Sequence, residues 1–115
     1  MRTFITRSFA YTALVGLGHG LWGQGALAAD MVAAREKVQA LCQVCHGLDG
    51  VAILAEAANL SGQQYSYIVT QLRAYRSGAR KDPQMSIVAK SLTDADIENM
   101  ATWYSSIKVT VEPPK

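Results

Sequence analysis

The sequence is 115 residues long, half of its residues are hydrophobic, and its formal net charge is +2. Two basic residues, Arg2 and Arg7, precede an apolar N-terminal stretch, and beyond residue 29 nine basic residues balance nine acidic ones. The chain has no polybasic run, no basic residues interleaved with aromatics and no long basic amphipathic helix, which disfavours binding to nucleic acid or to a membrane surface.

Residues 1–29 have the pattern of an export signal peptide. An apolar stretch follows the two arginines, and Ala26 and Ala28 frame an A-x-A cleavage site that places the cut after Ala28 or Ala29. The alternative is an uncleaved membrane anchor, but glycines interrupt the apolar stretch before it reaches the ~18 residues that a spanning helix needs. We therefore expect a periplasmic protein of 86 residues.

The mature sequence predicts one small all-α domain at residues 30–110 and a flexible tail at 111–115. Apolar residues recur at helical spacing in three segments, 30–42, 63–78 and 92–107. Asp30 and Thr93 are candidate N-caps, and Gly78 is a candidate C-cap. A domain of this size barely buries enough apolar area to offset chain entropy, so we expect an additional stabilising element.

Both cysteines lie in one motif, CQVCHG at residues 42–47, which has three interpretations. A thioredoxin-like disulfide needs a preceding strand, which the helical pattern does not supply; a plain disulfide stays possible but leaves His46 unexplained. A structural zinc site needs four ligands; no other Cys or His remains in the mature chain, so carboxylates would have to complete the site in an unusual geometry. In a C-x-x-C-H haem site, Cys42 and Cys45 form thioethers, His46 binds the iron, and the haem supplies the missing core.

The sequence resembles the class I c-type cytochromes, most closely one domain of the bacterial two-haem periplasmic cytochromes, over about residues 38–107. The resemblance rests on CQVCHGLDG, NLSGQ, YIVTQLRAYRSGAR and DPQMSIVAKSLTDADIENMATWYSS, which occur in the family's order and at about its spacing. It implies about three main helices and long loops wrapped around one covalent haem c. Cys42 and Cys45 would be the attachment residues, and His46 the proximal iron ligand.

The resemblance also implies that Met85 is the distal iron ligand, in an irregular loop 39 residues after His46. A thioether in that position gives a six-coordinate electron carrier with a raised reduction potential. Met31 lies too close in sequence to the haem motif to reach the opposite face of the haem. Met100 falls on the apolar face of the third predicted helix, and we expect it to belong to the core.

The resemblance assigns weaker roles to other residues. Residues expected to line the haem, with general core packing as the alternative, are Leu60, Tyr67, Ile68 and Leu72. Ala58 stands where the family usually has a proline whose carbonyl accepts the imidazole N–H, and we expect that bond to survive. Arg76 and Arg80 could contact the haem propionates or simply lie at a solvated helix end. Trp103 and Tyr104 should pack the last helix on the first.

These features predict a one-electron carrier rather than an enzyme, because both axial positions of the iron would be filled. Its partners would be a donor dehydrogenase and an acceptor oxidase or cytochrome, with no nucleic acid and no membrane span after processing. The alternative is an electron-transfer subunit of a periplasmic dehydrogenase complex, of the flavocytochrome sulfide dehydrogenase type. A gas sensor or peroxidase would require that Met85 leave the iron open.

Overall fold

The computed structural model describes residues 30–115, so the predicted signal peptide at 1–29 lies outside the described residues. Loops join five helices: α1 (Met31–Leu41), α2 (Gln43–His46), α3 (Tyr65–Ser77), α4 (Met85–Lys90) and α5 (Asp94–Ser105). The described part of the chain contains no strand, which confirms the all-α prediction. Among residues 30–115 no helix combines the length and apolarity that crossing a membrane requires.

The three predicted caps lie at the start of α1, the end of α3 and the start of α5. The Asp30 carboxylate accepts the backbone N–H groups of Val32 and Ala33 at the start of α1, both at 3.0 Å. Thr93 and Asp96 form a capping box at the start of α5. Gly78 ends α3 in the left-handed conformation, with φ of 82°.

The two short helices do not follow from the sequence pattern. The sequence predicts an irregular loop around Met85, and this prediction is wrong, because Met85 is the first residue of α4. The helix begins there since the Asp82 carboxylate accepts the backbone N–H groups of Gln84 and Met85. Helices of four and six residues are too short to show an apolar period.

The core lies where α1, α3 and α5 pack together. Its buried side chains are Val38, Ile68, Val69, Leu92, Ile97, Met100, Ala101 and Tyr104. The buried position of Met100, which is 1% exposed, agrees with the expectation that it belongs to the core. Residues 108–115 have no helix or strand and their side chains are exposed.

Candidate functional site

A cavity of ≈ 700 Å³ opens beside the core, between α2, α3, α4 and the loop that joins α2 to α3. All eight site residues that the sequence analysis names line this cavity: Cys42, Cys45, His46, Leu60, Tyr67, Ile68, Leu72 and Met85. Residues separated by as much as 43 positions in sequence are thus brought to one largely apolar enclosure.

His46 is held by a single hydrogen bond that determines which ring nitrogen is protonated. Its Nδ1 lies 2.7 Å from the backbone oxygen of Ala58. A carbonyl oxygen can only accept, so Nδ1 is the donor, and in the neutral ring the lone pair then lies on Nε2. A neutral imidazole of this tautomer is a metal ligand through Nε2. The expectation that Ala58 keeps this bond without the proline is confirmed.

Two glycines shape the loop that carries Ala58 to His46. Gly47 ends α2 with φ of 73°, and a Cβ there would overlap the carbonyl oxygen of Val51. Gly50 has φ of 77°, and its carbonyl accepts the N–H of Leu60 at 2.7 Å. Residues with side chains rarely adopt such a positive φ, so these glycines allow the chain to turn back over the motif.

The last helix anchors the chain that follows His46. The indole Nε1–H of Trp103 donates to the backbone oxygen of Leu48 at 2.8 Å, and the Tyr104 hydroxyl donates to that of Gly47 at 2.9 Å. Tyr104 also belongs to the core that contains Val38 of α1, as the sequence analysis expects. The two hydrogen bonds are not predicted, although buried tyrosine and tryptophan residues generally need polar partners.

Burial of the Cys42 side chain disfavours its thiolate form. Both thiols are free and half-buried, and a helix precedes them instead of a strand. Burial, with a smaller contribution from Cys45, raises the pKa of the Cys42 thiol to about 12. Redox-active and metal-binding cysteines act as thiolates and have lowered pKa values. The thioredoxin-like interpretation loses support, because a helix and not a strand precedes the motif.

Two methionines border the cavity from different helices. Met85 is half-buried at the start of α4, while Met100 projects from α5 and is 1% exposed. Ile68 likewise lines the cavity and belongs to the core, so the two alternatives that the sequence analysis gives for this residue coincide.

The two arginines of α3 and the following loop differ in their surroundings. Arg76 donates to the backbone oxygen of Leu92 at 3.0 Å and pairs with Asp94, whose pKa it lowers by hydrogen bonding and charge. It ties α3 to the start of α5 and does not line the cavity. Arg80 does line the cavity, and its guanidinium lies 4.7 Å from the centre of the Tyr75 ring.

Sequence comparison gives the family of this chain. Cytochrome c-554(548) of Halomonas halodenitrificans is 38% identical over 82 residues, which cover 69% of this chain and 98% of that protein. The chain belongs to the class I c-type cytochromes. No family model matches this cytochrome.

Other relatives of the cytochrome are about twice as long. Cytochrome c4 of Pseudomonas aeruginosa is 32% identical over 80% of this chain, which spans 45% of that protein. The thiosulfate dehydrogenase electron acceptor of Thiomonas intermedia is 35% identical over 98% of this chain, which spans 50% of it. The cytochrome thus spans about half the length of these two relatives, the proportion of one unit in a protein built from two.

The residues of the cavity fit the haem c that defines c-type cytochromes. The two thiols lie one helical turn apart, and the adjacent imidazole has a free Nε2. Apolar side chains supply most of the remaining wall, which suits a flat hydrophobic cofactor.

Proposed function

We propose that this cytochrome is a one-electron carrier with a single haem c, and that it is not itself an enzyme. The observation that carries the proposal is the His46–Ala58 hydrogen bond within a cavity that also contains both cysteines and a thioether. Haem c, when bound, supplies an iron centre that exchanges one electron. The relatives named as cytochromes c support the same function.

The proposal gives four residues direct roles. Cys42 and Cys45 would hold the haem through thioether bonds, and His46 would bind the iron through Nε2. Met85 would be the second iron ligand, and a thioether ligand raises the reduction potential compared with a second imidazole. An iron held by two protein side chains would offer no open position for a substrate.

The rest of the site supports these ligands. The Ala58 carbonyl orients the imidazole and makes it more basic by accepting its Nδ1–H. Leu60, Tyr67, Ile68 and Leu72 restrict the access of water, which tunes the reduction potential. Arg80 borders the cavity and Arg76 does not, so Arg80 is the better candidate for a propionate contact.

The proposed location is the periplasm, to which the signal peptide at 1–29 would direct the chain. Partner proteins would be a donor dehydrogenase and an acceptor oxidase or cytochrome. Mass spectrometry of the exported protein tests this part: cleavage after Ala28 or Ala29 should give an N-terminus at Ala29 or Asp30. A product that retained residues 1–29 would contradict it.

The second candidate function is that of an electron-transfer subunit in a dehydrogenase complex. Two relatives are named as thiosulfate dehydrogenase electron acceptors, from Thiomonas intermedia and Stutzerimonas stutzeri. An electron-transfer subunit of a dehydrogenase complex, such as the flavocytochrome sulfide dehydrogenase type, would use the same haem site. Stable co-purification with a flavoprotein or another dehydrogenase would favour the subunit, and isolation as a free protein would favour the carrier.

The ligand assignment is tested by redox-titrated visible spectra of the haem-loaded protein. The wild type should show the weak near-red absorption band of a methionine–iron bond in the ferric state. Met85→Ala should lose this band, lower the reduction potential and bind carbon monoxide when reduced. Met100→Leu is the matched control, because it replaces the other cavity thioether, and it should keep the band. Loss of the band in Met100→Leu alone would show that Met100 is the ligand.

A further inference from the structure

The segment around Met85 is fixed by a reciprocal set of hydrogen bonds. The Asp82 Oδ1 accepts the backbone N–H of Met85 at 2.8 Å and that of Gln84 at 2.9 Å. In return, the Ser86 hydroxyl oxygen accepts the backbone N–H of Asp82 at 3.0 Å. The Ser86 N–H donates to the Asp82 carbonyl at 3.1 Å, which closes the first turn of α4. The Met85 main chain thus lies inside a closed hydrogen-bonded turn.

The chain around this turn offers no other side-chain cap. Gln84 occupies the cap position of α4 but makes no side-chain hydrogen bond to the helix. A helix of six residues is too short to be stable through its own backbone bonds. Pro83 has a restricted φ and disfavours the helical conformation at Asp82, so the helix does not extend back through Asp82. The Asp82 carboxylate instead accepts the first N–H groups of the turn, those of Gln84 and Met85.

We propose that Asp82, assisted by Ser86, is a positioning residue that holds Met85 against the cavity, an inference that rests on the proposed role of Met85 as iron ligand. Asp82 is half-buried and lines the same cavity, so its bonds act at the wall where the thioether is required.

A methionine ligand that is already in place gains more from its iron bond than one that must first be ordered. Without the Asp82 acceptor, the first turn of α4 should fray, and ordering it would oppose binding of the thioether. An external ligand that competes with Met85 would then bind more tightly. Imidazole, which binds ferric haem iron, is a suitable probe of this competition.

The test is an imidazole titration of the haem-loaded ferric protein, followed by the loss of the near-red band. Asp82→Ala should raise the apparent imidazole affinity about tenfold, since removing an N-terminal cap acceptor typically has an effect of that size. Asp82→Asn retains an acceptor oxygen and should stay within about threefold of the wild type. Asp30→Ala is the matched control: it removes a carboxylate that also accepts two N–H groups, on α1, and should leave the affinity unchanged.

The outcomes separate this inference from the proposed function. If the wild type and Met85→Ala have the same ferric spectrum, Met85 is not the ligand and the inference fails with it. If the wild type has the near-red band but Asp82→Ala binds imidazole as the wild type does, only the positioning role is overturned. If Asp82→Ala fails to fold, Ser86→Ala is the second variant, since it removes only the hydrogen bond from the Asp82 N–H to the Ser86 hydroxyl. It should raise the apparent imidazole affinity by about threefold. An unchanged imidazole affinity in Ser86→Ala would also overturn the inference.

Discussion

At the scale of single residues, the site depends on backbone carbonyls that orient side chains. The Ala58 carbonyl fixes the His46 tautomer, and the Gly47 carbonyl accepts the Tyr104 hydroxyl. Gly47 is the last residue of the haem-binding motif, and Ala58 lies in the loop that follows it. The orientation of the imidazole therefore depends on the position of this loop as much as on His46 itself.

Tyr104→Phe should lower the free energy of unfolding by about 0.5–1.5 kcal/mol, because it removes the shorter of the two hydrogen bonds to the buried Gly47 carbonyl and leaves only the one from the Gly50 N–H at 3.3 Å. The ring would still fill the core, so the visible spectrum of the haem protein should not change. Urea denaturation of the haem-loaded protein measures the loss.

Thr102→Val is a useful control for Tyr104→Phe, since it also removes one hydroxyl of α5, here from an intrahelical bond to Glu98. It should have a smaller effect, because the Glu98 carbonyl remains part of the helix. Equal losses in the two variants would contradict a special role for the bond to Gly47.

The single-residue contacts were predictable only where a chemical rule or the family pattern names both partners. The His46–Ala58 bond follows from the family position of a proline, although this chain has alanine there. The bonds from Trp103 and Tyr104 to the loop could not be predicted, because any exposed or buried carbonyl would serve as acceptor. Which carbonyl lies near α5 is a property of the tertiary structure.

At the scale of elements, helix length decides what the sequence reveals. The helices α1, α3 and α5 span 11, 13 and 12 residues, long enough for an apolar face and for caps to be recognised. The four residues of α2 and the six of α4 show neither. Both short helices carry proposed ligands, so the least predictable elements are those that form the site.

Asp96 of the α5 capping box also links this helix to α1. Asp96→Ala should therefore destabilise the protein by about 1–2 kcal/mol. The Asp96 carboxylate accepts the Thr93 N–H at 2.9 Å and the Thr93 hydroxyl at 2.8 Å. It also lies 3.2 Å from the ammonium of Lys37 on α1. Urea denaturation at pH 7 measures the effect. The Asp96→Asn variant keeps an acceptor but not the charge, so its free energy of unfolding should fall between those of the wild type and Asp96→Ala.

The effect of Asp96→Ala should shrink in acid. Burial alone would raise the Asp96 pKa, but the bonds from Thr93 and Lys37 outweigh burial and lower it. The folded protein therefore binds this proton less tightly than the unfolded chain, so the stabilisation is present above the unfolded value of about 3.9 and is lost as the pH falls through the folded pKa. A destabilisation that stayed the same at pH 7 and well below pH 4 would contradict this account.

At the scale of the whole molecule, the haem site occupies a large share of what would otherwise be the core. The described residues bury ten hydrophobic side chains, of which three are alanines. Beside them lies a cavity of ≈ 700 Å³ whose walls include core residues such as Ile68, Leu92 and Met100. Without a cofactor, the apolar wall of this cavity would stay open to water or the helices would have to collapse into the space.

A Cys42→Ala/Cys45→Ala double variant, which cannot attach haem covalently, should therefore lose most of its helical structure. A chain of this size has little buried apolar area to offset its conformational entropy, and it cannot also leave an apolar cavity open. Far-ultraviolet circular dichroism of the double variant compared with the haem-loaded wild type measures the loss. The wild-type chain produced without haem is the control that separates the absent cofactor from the two substitutions, and it should be equally unfolded. A double variant that kept a cooperative, helical fold without haem would show that α1, α3 and α5 form a sufficient core by themselves.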